Sequence, residues 1–431
     1  MTTHLVPELL TRPATEAASE QRKTTVTALL AATAVVATAA AAVAITMSTA
    51  HHHASTATPL SQPIAARFLH TSNVVLSRGA QDTRADIPWN QIGPGWTLAS
   101  WSPNPDQTAE KVPMTIYLVN PVGGRYLVTT VPGTESIRLW SPNHQRILLG
   151  TSVFDIVTGT STPLGAGPDV SMQAFTADSN GFLGTLTKSA ADGSFLSATL
   201  ERFSLTGQLE ATFPSQFDSV GKLNVNDIRA LNTPDGKDIV VGAARGLALL
   251  RLDGTIDRTI APVDAQGQPL GCSPVNFWSP TVLLATCGPQ SRPGALALWK
   301  VPLDGGAPSQ FSGYGTQPYW AFIDAWPTSS GLMGLSEASC GPAFLVRFDA
   351  HMKPSMFTDS RPAGSGQGGQ HYVAHDGDYI TNVFQSGGCM SSVNTLGRTS
   401  AVTGKSVALL GPGMNGGNVV DALSPDTEVL Y

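Results

Sequence analysis

Two kinds of turn alternate along most of this 431-residue chain, and their alternation leaves few folds open. The first is a corner between two apolar runs. It appears as Trp101-Ser102-Pro103, Trp140-Ser141-Pro142-Asn143, Asn232-Thr233-Pro234-Asp235-Gly236, Trp278-Ser279-Pro280 and Leu423-Ser424-Pro425-Asp426. Looser copies are Thr176-Ala177-Asp178-Ser179-Asn180-Gly181, Trp326-Pro327-Thr328 and His375-Asp376-Gly377. Proline fixes φ early in such a turn, and Asp, Asn or Gly accepts the sharp reversal, so each copy reads as a hairpin corner. The second kind is a Gly- or Asp-bearing turn, as in Asn120-Pro121-Val122-Gly123, Val157-Thr158-Gly159, Leu205-Thr206-Gly207, Leu252-Asp253-Gly254, Leu303-Asp304-Gly305, Phe348-Asp349 and Val402-Thr403-Gly404. The runs between them, such as Ile116-Tyr117-Leu118-Val119 and Ile239-Val240-Val241, have strand length and β-branched content.

The second turn occurs seven times, about every 47 residues. Two hairpins per repeat make four strands, the unit of a β-propeller blade. The expectation is an all-β chain with a seven-bladed β-propeller over 88–431, eight blades being the alternative. Residues 419–431 form one more first-kind unit with no second hairpin after it, and are expected to close the ring against the first blade. Composition agrees: charged residues are 13%, with 43 Gly and 31 Pro, too few charges and too many turn-formers for a bundle of long helices. A net charge of −6 speaks against nucleic acid as a partner.

These Ser-Pro-Asp-like corners resemble the repeats of TolB-type propellers, whose usual wording is Trp-Ser-Pro-Asp-Gly. Pro234-Asp235-Gly236 keeps the core of that wording intact. The N-terminal segment, the cysteines and the Gly/Ala/Thr-rich composition also look like membrane-anchored propellers of actinobacterial envelopes. The resemblance implies architecture more than role, because nothing in this chain resembles the separate N-terminal domain of TolB itself.

Between Lys23 and Arg67 there is no Asp, Glu, Lys or Arg. Residues 25–47 are Ala-, Val- and Thr-rich and would span roughly 34 Å as a helix, enough for a bilayer core. The expected organisation is a cytoplasmic tail at 1–23, a transmembrane signal-anchor helix at 24–47, an extracytoplasmic linker at 48–87 and the propeller at 88–431. Arg12, Arg22 and Lys23 precede the span and set the N-terminus in the cytoplasm. Cleavage near Ala50, after Ser48-Thr49, would release the protein instead. His51, His52 and His53 lie in the linker and lack a fixed metal geometry.

Four cysteines in an exported chain read as two disulfides. A turn at Ser279 and Pro280 sets Cys272 opposite Cys287, and Cys340 and Cys389 occupy equivalent loops of adjacent blades. The spacing matches no zinc motif, and no metal or cofactor is expected. No nucleophile elbow, zincin motif or phosphate loop occurs. Asp376 and Asp378 are candidate carboxylates, though their place at a corner favours a turn role. Six aromatics fall in residues 311–326, and Tyr314, Tyr319 and Trp320 are the candidate binding residues, while Phe322 and Trp326 read as strand core. The functional expectation is a non-catalytic propeller that binds an envelope protein, a peptide or a cell-wall glycan. The alternative is an exported glycan hydrolase or lyase with a carboxylate site on one propeller face.

Overall fold

The computed structural model describes residues 75–104, 112–167, 169–189, 195–224, 229–289, 295–313, 322–336, 344–357, 361–362, 370–385 and 393–424. The expected membrane span at 24–47 lies outside them. Among the described residues no helix is long and apolar enough to cross a membrane. Those residues carry three 3-10 turns, Arg84–Asp86, Trp89–Gln91 and Asp218–Val220, and are otherwise built from strands.

The first sheet contains β1 (Gln81–Thr83), β2 (Thr97–Ser102), β3 (Met114–Val119) and β4 (Arg125–Val131), with β1 parallel to the outer edge of β4. A four-stranded meander follows: β5 (Ile137–Trp140), β6 (Arg146–Leu149), β7 (Ser152–Asp155) and β8 (Thr160–Pro163). The next comprises β9 (Val170–Phe175), β10 (Gly181–Ser189), β11 (Phe195–Ser204) and β12 (Leu209–Thr212). A short ribbon, β13 (Gln216–Phe217) with β14 (Gly221–Lys222), leads into an eight-stranded sheet. That sheet holds β15 (Ala230–Asn232), β16 (Asp238–Ala243), β17 (Gly246–Arg251), β18 (Ile256–Ile260), β19 (Gly271–Ser279), β20 (Val282–Gly288), β21 (Ala297–Pro302) and β22 (Ser309–Gln310). Two more meanders complete the run. One is β23 (Phe322–Thr328), β24 (Gly331–Ser336), β25 (Phe344–Phe348) and β26 (Pro354–Met356); the other is β27 (Gln370–Asp376), β28 (Tyr379–Gln385), β29 (Asn394–Ser400) and β30 (Ser406–Leu410). Finally β31 (Asn418–Leu423) returns to pair antiparallel with β2, so the first sheet is closed by a strand from the far end of the sequence.

The all-β propeller architecture stands, but seven separate blades do not. The described residues give five separate sheets of four or five strands and one eight-stranded sheet. The cause is local. Ala243 at the end of β16 pairs with Cys272 of β19, which fuses two meanders. Gly242 permits the approach: a Cβ there would sit 2.6 Å from the Cys272 carbonyl oxygen. The start of the fold also shifts. Within the stretch expected as linker, β1 pairs with β4, Ile87 is fully buried, and the Leu76 carbonyl accepts the Asn120 amide at 2.7 Å.

The corners have a shared chemistry. Ser141, Thr176 and Thr233 each accept the backbone N–H five residues on, from Arg146, Gly181 and Asp238, at 2.9–3.1 Å. Each hydroxyl then donates to the side-chain oxygen two residues on, that of Asn143, Asp178 or Asp235, at 2.6–2.8 Å. A hydroxyl followed by a short acceptor thus locks the reversal between an inner strand and its neighbour. The second-kind turns join β3 to β4, β7 to β8, β11 to β12, β17 to β18, β21 to β22, β25 to β26 and β29 to β30.

Central strands carry the core. Ile116, Leu118, Ile147, Ile239, Val241, Leu283 and Ile380 are fully buried, packing sheet face against sheet face. Outer strands are wet, and all four residues of β8 are exposed.

Candidate active site

One edge strand of each meander faces inward. Contacts run from β31 to β5, β5 to β9, β9 to β15, β15 to β19, β19 to β23, and β27 back to β31. In six of these strands the register slips by one residue, leaving Arg138, Gln173, Val275, Ile323, Val373 and Val420 unpaired in the ladder. Such bulges bend the strand and re-aim the side chain that follows. At three of them that residue is Asn276, Asp324 or Asp421, and its Oδ1 accepts the next backbone N–H at 2.7, 2.7 and 2.9 Å. A bulge followed by a short oxygen-bearing side chain therefore recurs around the inner ring.

Three inner strands converge on one cluster. Asn276 Nδ2 donates to Asp324 Oδ1 at 2.9 Å and lies 3.1 Å from His375 Nε2. Because Asn276 Oδ1 already accepts the Phe277 N–H, the amide is oriented and its NH2 group faces the imidazole. His375 Nε2 is then the acceptor, and the neutral ring carries its proton on Nδ1. The ring stacks on Trp326 at 4.5 Å with planes 2° apart, which fixes its tilt. Asp324 Oδ2 waits 3.9 Å from Nε2. Asn276 and His375 sit on strands separated by β23, so their meeting places the cluster inside the ring.

A second ionisable group lies on the adjoining inner strand. Asp421 is half-buried, and desolvation pushes its carboxyl up to about 6, against the pull of the Ala422 N–H. The other acidic candidates are structural. Asp376 accepts Arg398 Nη2 at 2.6 Å, and Asp378 accepts both the amide and the hydroxyl of Ser329 at 2.5 Å. Both carboxylates are engaged in contacts to other strands and loops, Asp376 with β29 and Asp378 with the turn after β23.

Tyr314, Tyr319 and Trp320 lie outside the described residues, as do Cys340 and Cys389. Of the neighbouring aromatics, Phe322 and Trp326 are buried in strand core, and Phe311 packs edge-on against Trp278 at 5.3 Å. Cys272 and Cys287 are bonded, and they are direct partners across β19 and β20. The hairpin tip is Pro280-Thr281, one residue later than expected, and the bulges at Trp278 and Val275 restore the register. Sequence reasoning missed Asp324, Asn276 and Asp421; the one signal was the His in the His375-Asp376-Gly377 corner.

No protein-family model and no curated protein sequence matches this chain. Solved structures do resemble it. Acylaminoacyl peptidase of Pyrococcus horikoshii is 12% identical with a TM-score of 0.46, over 74% of this chain and 51% of the peptidase, so the chain spans about half the length of that relative. The β-propeller domain of the Trilobed protease from Pyrococcus furiosus is 12% identical with a TM-score of 0.44, over 70% of this chain and 88% of that domain. TolB from Acinetobacter baumannii is 13% identical with a TM-score of 0.36, over 84% and 92%. Identities this low speak to the fold alone. The expectation of a purely non-catalytic propeller is corrected on the site itself: the inner strands bring an oriented imidazole beside a carboxylate.

Proposed function

We propose that this chain is an extracytoplasmic propeller enzyme whose inner ring performs proton transfer on a small polar substrate, in a hydrolase or lyase reaction. The observation that carries the reading is the cluster of His375, Asp324 and Asn276, drawn from three strands into one hydrogen-bonded group. His375 Nε2 is the general base. A substrate hydroxyl or a water replaces the Asn276 N–H at Nε2 and gives up its proton. The imidazolium so formed is stabilised by the Asp324 carboxylate, whose Oδ2 is 3.9 Å away. Trp326 holds the ring plane throughout. Asp421, with its raised affinity for a proton, is the candidate acid on the neighbouring strand.

Further parts of the reading rest on other features. Counting the eight-stranded sheet as two fused meanders, β15–β18 and β19–β22, gives a ring of seven four-stranded units, the first completed by β31. The uncharged segment 24–47 and the Cys272–Cys287 bond favour an exported, oxidising location. We place the chain in the cell envelope, anchored with its N-terminus in the cytoplasm, or released by cleavage near Ala50. Tyr314, Tyr319 and Trp320 are proposed to contact what the ring takes up.

The test is turnover of a chromogenic panel of esters, glycosides and peptides by wild type, His375→Ala and Asp324→Asn. General-base loss is expected to lower the rate by about 100-fold or more in His375→Ala with its melting temperature retained. No turnover by wild type, or equal turnover by His375→Ala, overturns the reading.

A further inference from the structure

Beside the His375 cluster lies an open cavity of about 520 Å3, lined by residues of β5, β9, β15 and β19 and of the corners that follow the first three. Its volume falls in the range of small-molecule sites. Asn276 belongs to both, lining the cavity while its Nδ2 bonds Asp324 and faces His375. A ligand seated there reaches the cluster through Asn276.

The walls name the kind of ligand. Phe175 and Phe277 contribute aromatic surface, and Gln173 and Asn232 contribute carboxamides. Asn232 Nδ2 donates to the Phe175 carbonyl at 2.9 Å, which fixes that amide in the wall. Among the described lining residues Asp235 alone is ionisable. It is already paired with Lys237 at 3.0 Å and accepts the Thr233 hydroxyl at 2.8 Å. A charged ligand therefore finds no free counter-charge in the wall. Rings for stacking, amides that donate and accept, and no available charge are the combination that suits a neutral, hydroxyl-rich molecule.

We propose that this cavity is a subsite for an uncharged saccharide of about two units, its reacting end at Asn276, the residue the cavity shares with the His375 cluster. The inference rests on the acid–base reading above and supplies its substrate class.

The test uses neutral cello-, chito- and malto-oligosaccharides of two to four units, with oligogalacturonate as the charged control. Binding is followed by calorimetry and ligand-observed NMR on the folded protein. Wild type is expected to bind at least one neutral series and to bind oligogalacturonate at least tenfold more weakly. Phe277→Ala and Gln173→Ala are expected to weaken binding about tenfold each. Gln173 lies half-exposed on β9 at a ladder-free bulge, so its variant tests the site even where Phe277→Ala unfolds. Absence of neutral-saccharide binding at 10 mM, binding untouched in Gln173→Ala, or preference for oligogalacturonate overturns the proposal. Should saccharides bind while turnover is indifferent to His375, the subsite stands and the acid–base reading falls. Should another substrate class turn over through His375 with no saccharide bound, the subsite falls alone.

Discussion

Arg398 Nη2 meets Asp376 Oδ2 at 2.6 Å, and the same guanidinium donates through Nη1 to the Pro121 carbonyl at 3.1 Å. One side chain thus ties a strand near the end of the sequence to a turn of the first sheet. It also lies over the Tyr379 ring at 4.2 Å. Arg398→Met removes three contacts and leaves a partly buried carboxylate unpaired, so it is expected to destabilise the ring by about 2 kcal/mol. Urea denaturation measures this. A loss within 0.5 kcal/mol of zero, the usual scatter of surface substitutions, excludes the role.

Asp421 makes stability depend on pH in a stated direction. Its carboxyl is raised from 3.8 to about 6 by burial, so the folded state disfavours the ionised form. Below about pH 4 both states hold the proton and the penalty vanishes; it grows through pH 4–6 and is complete above that. Asp421→Asn keeps an oxygen for the Ala422 N–H and cannot ionise. It is expected to match wild type near pH 3.5 and to exceed it by about 3 kcal/mol at pH 8. Parallel denaturation curves at the two pH values decide, and equal stability at pH 8 would refute the assignment.

The disulfide joins two residues that the ladder already holds opposite each other. Its contribution is therefore expected at the low end of the usual range, about 2 kcal/mol. The paired replacement Cys272→Ala with Cys287→Ala should lower the urea midpoint without abolishing folding. Reductant should shift wild type by at least that amount, and the double variant only by what a Cys340–Cys389 bond contributes.

Histidine tautomers are visible in long-range 1H–15N spectra. At pH 8 the His375 Nε2 resonance is expected in the unprotonated position, with the proton on Nδ1, because Asn276 donates to Nε2. In Asn276→Leu that donor is gone, and the balance should move toward the Nε2–H form that Asp324 favours. A tautomer indifferent to this substitution would separate Asn276 from the base.

Much of the architecture was legible because turns are written in residue types. Pro234-Asp235-Gly236 and Thr176 with Asp178 stand where the chain reverses, for reasons of φ and local hydrogen bonding that act over a few residues. The fusion of β16 with β19 was not legible, since it depends on how closely Gly242 lets one backbone approach another. The cluster was hidden for two reasons. A bulge is a count of paired residues and carries no residue signature at Val275 or Ile323. Asn276 and His375 meet across 99 positions, with a separation that no local pattern encodes. Asp376 and Asp378 were visible for the converse reason: acidic residues at a corner announce the corner.

The pairing of Ser100 with Asp421 fixes an order of events during folding. Their sequence separation of 321 residues makes this contact among the costliest in loop entropy, and it gains nothing until the intervening meanders have formed. Meanders such as β5–β8 join neighbours in sequence and can assemble early, whereas the first sheet keeps an open inner edge until β31 arrives. Ring closure is then expected to be the slow step of folding, with the unclosed β2 edge as the surface open to strand exchange until β31 arrives.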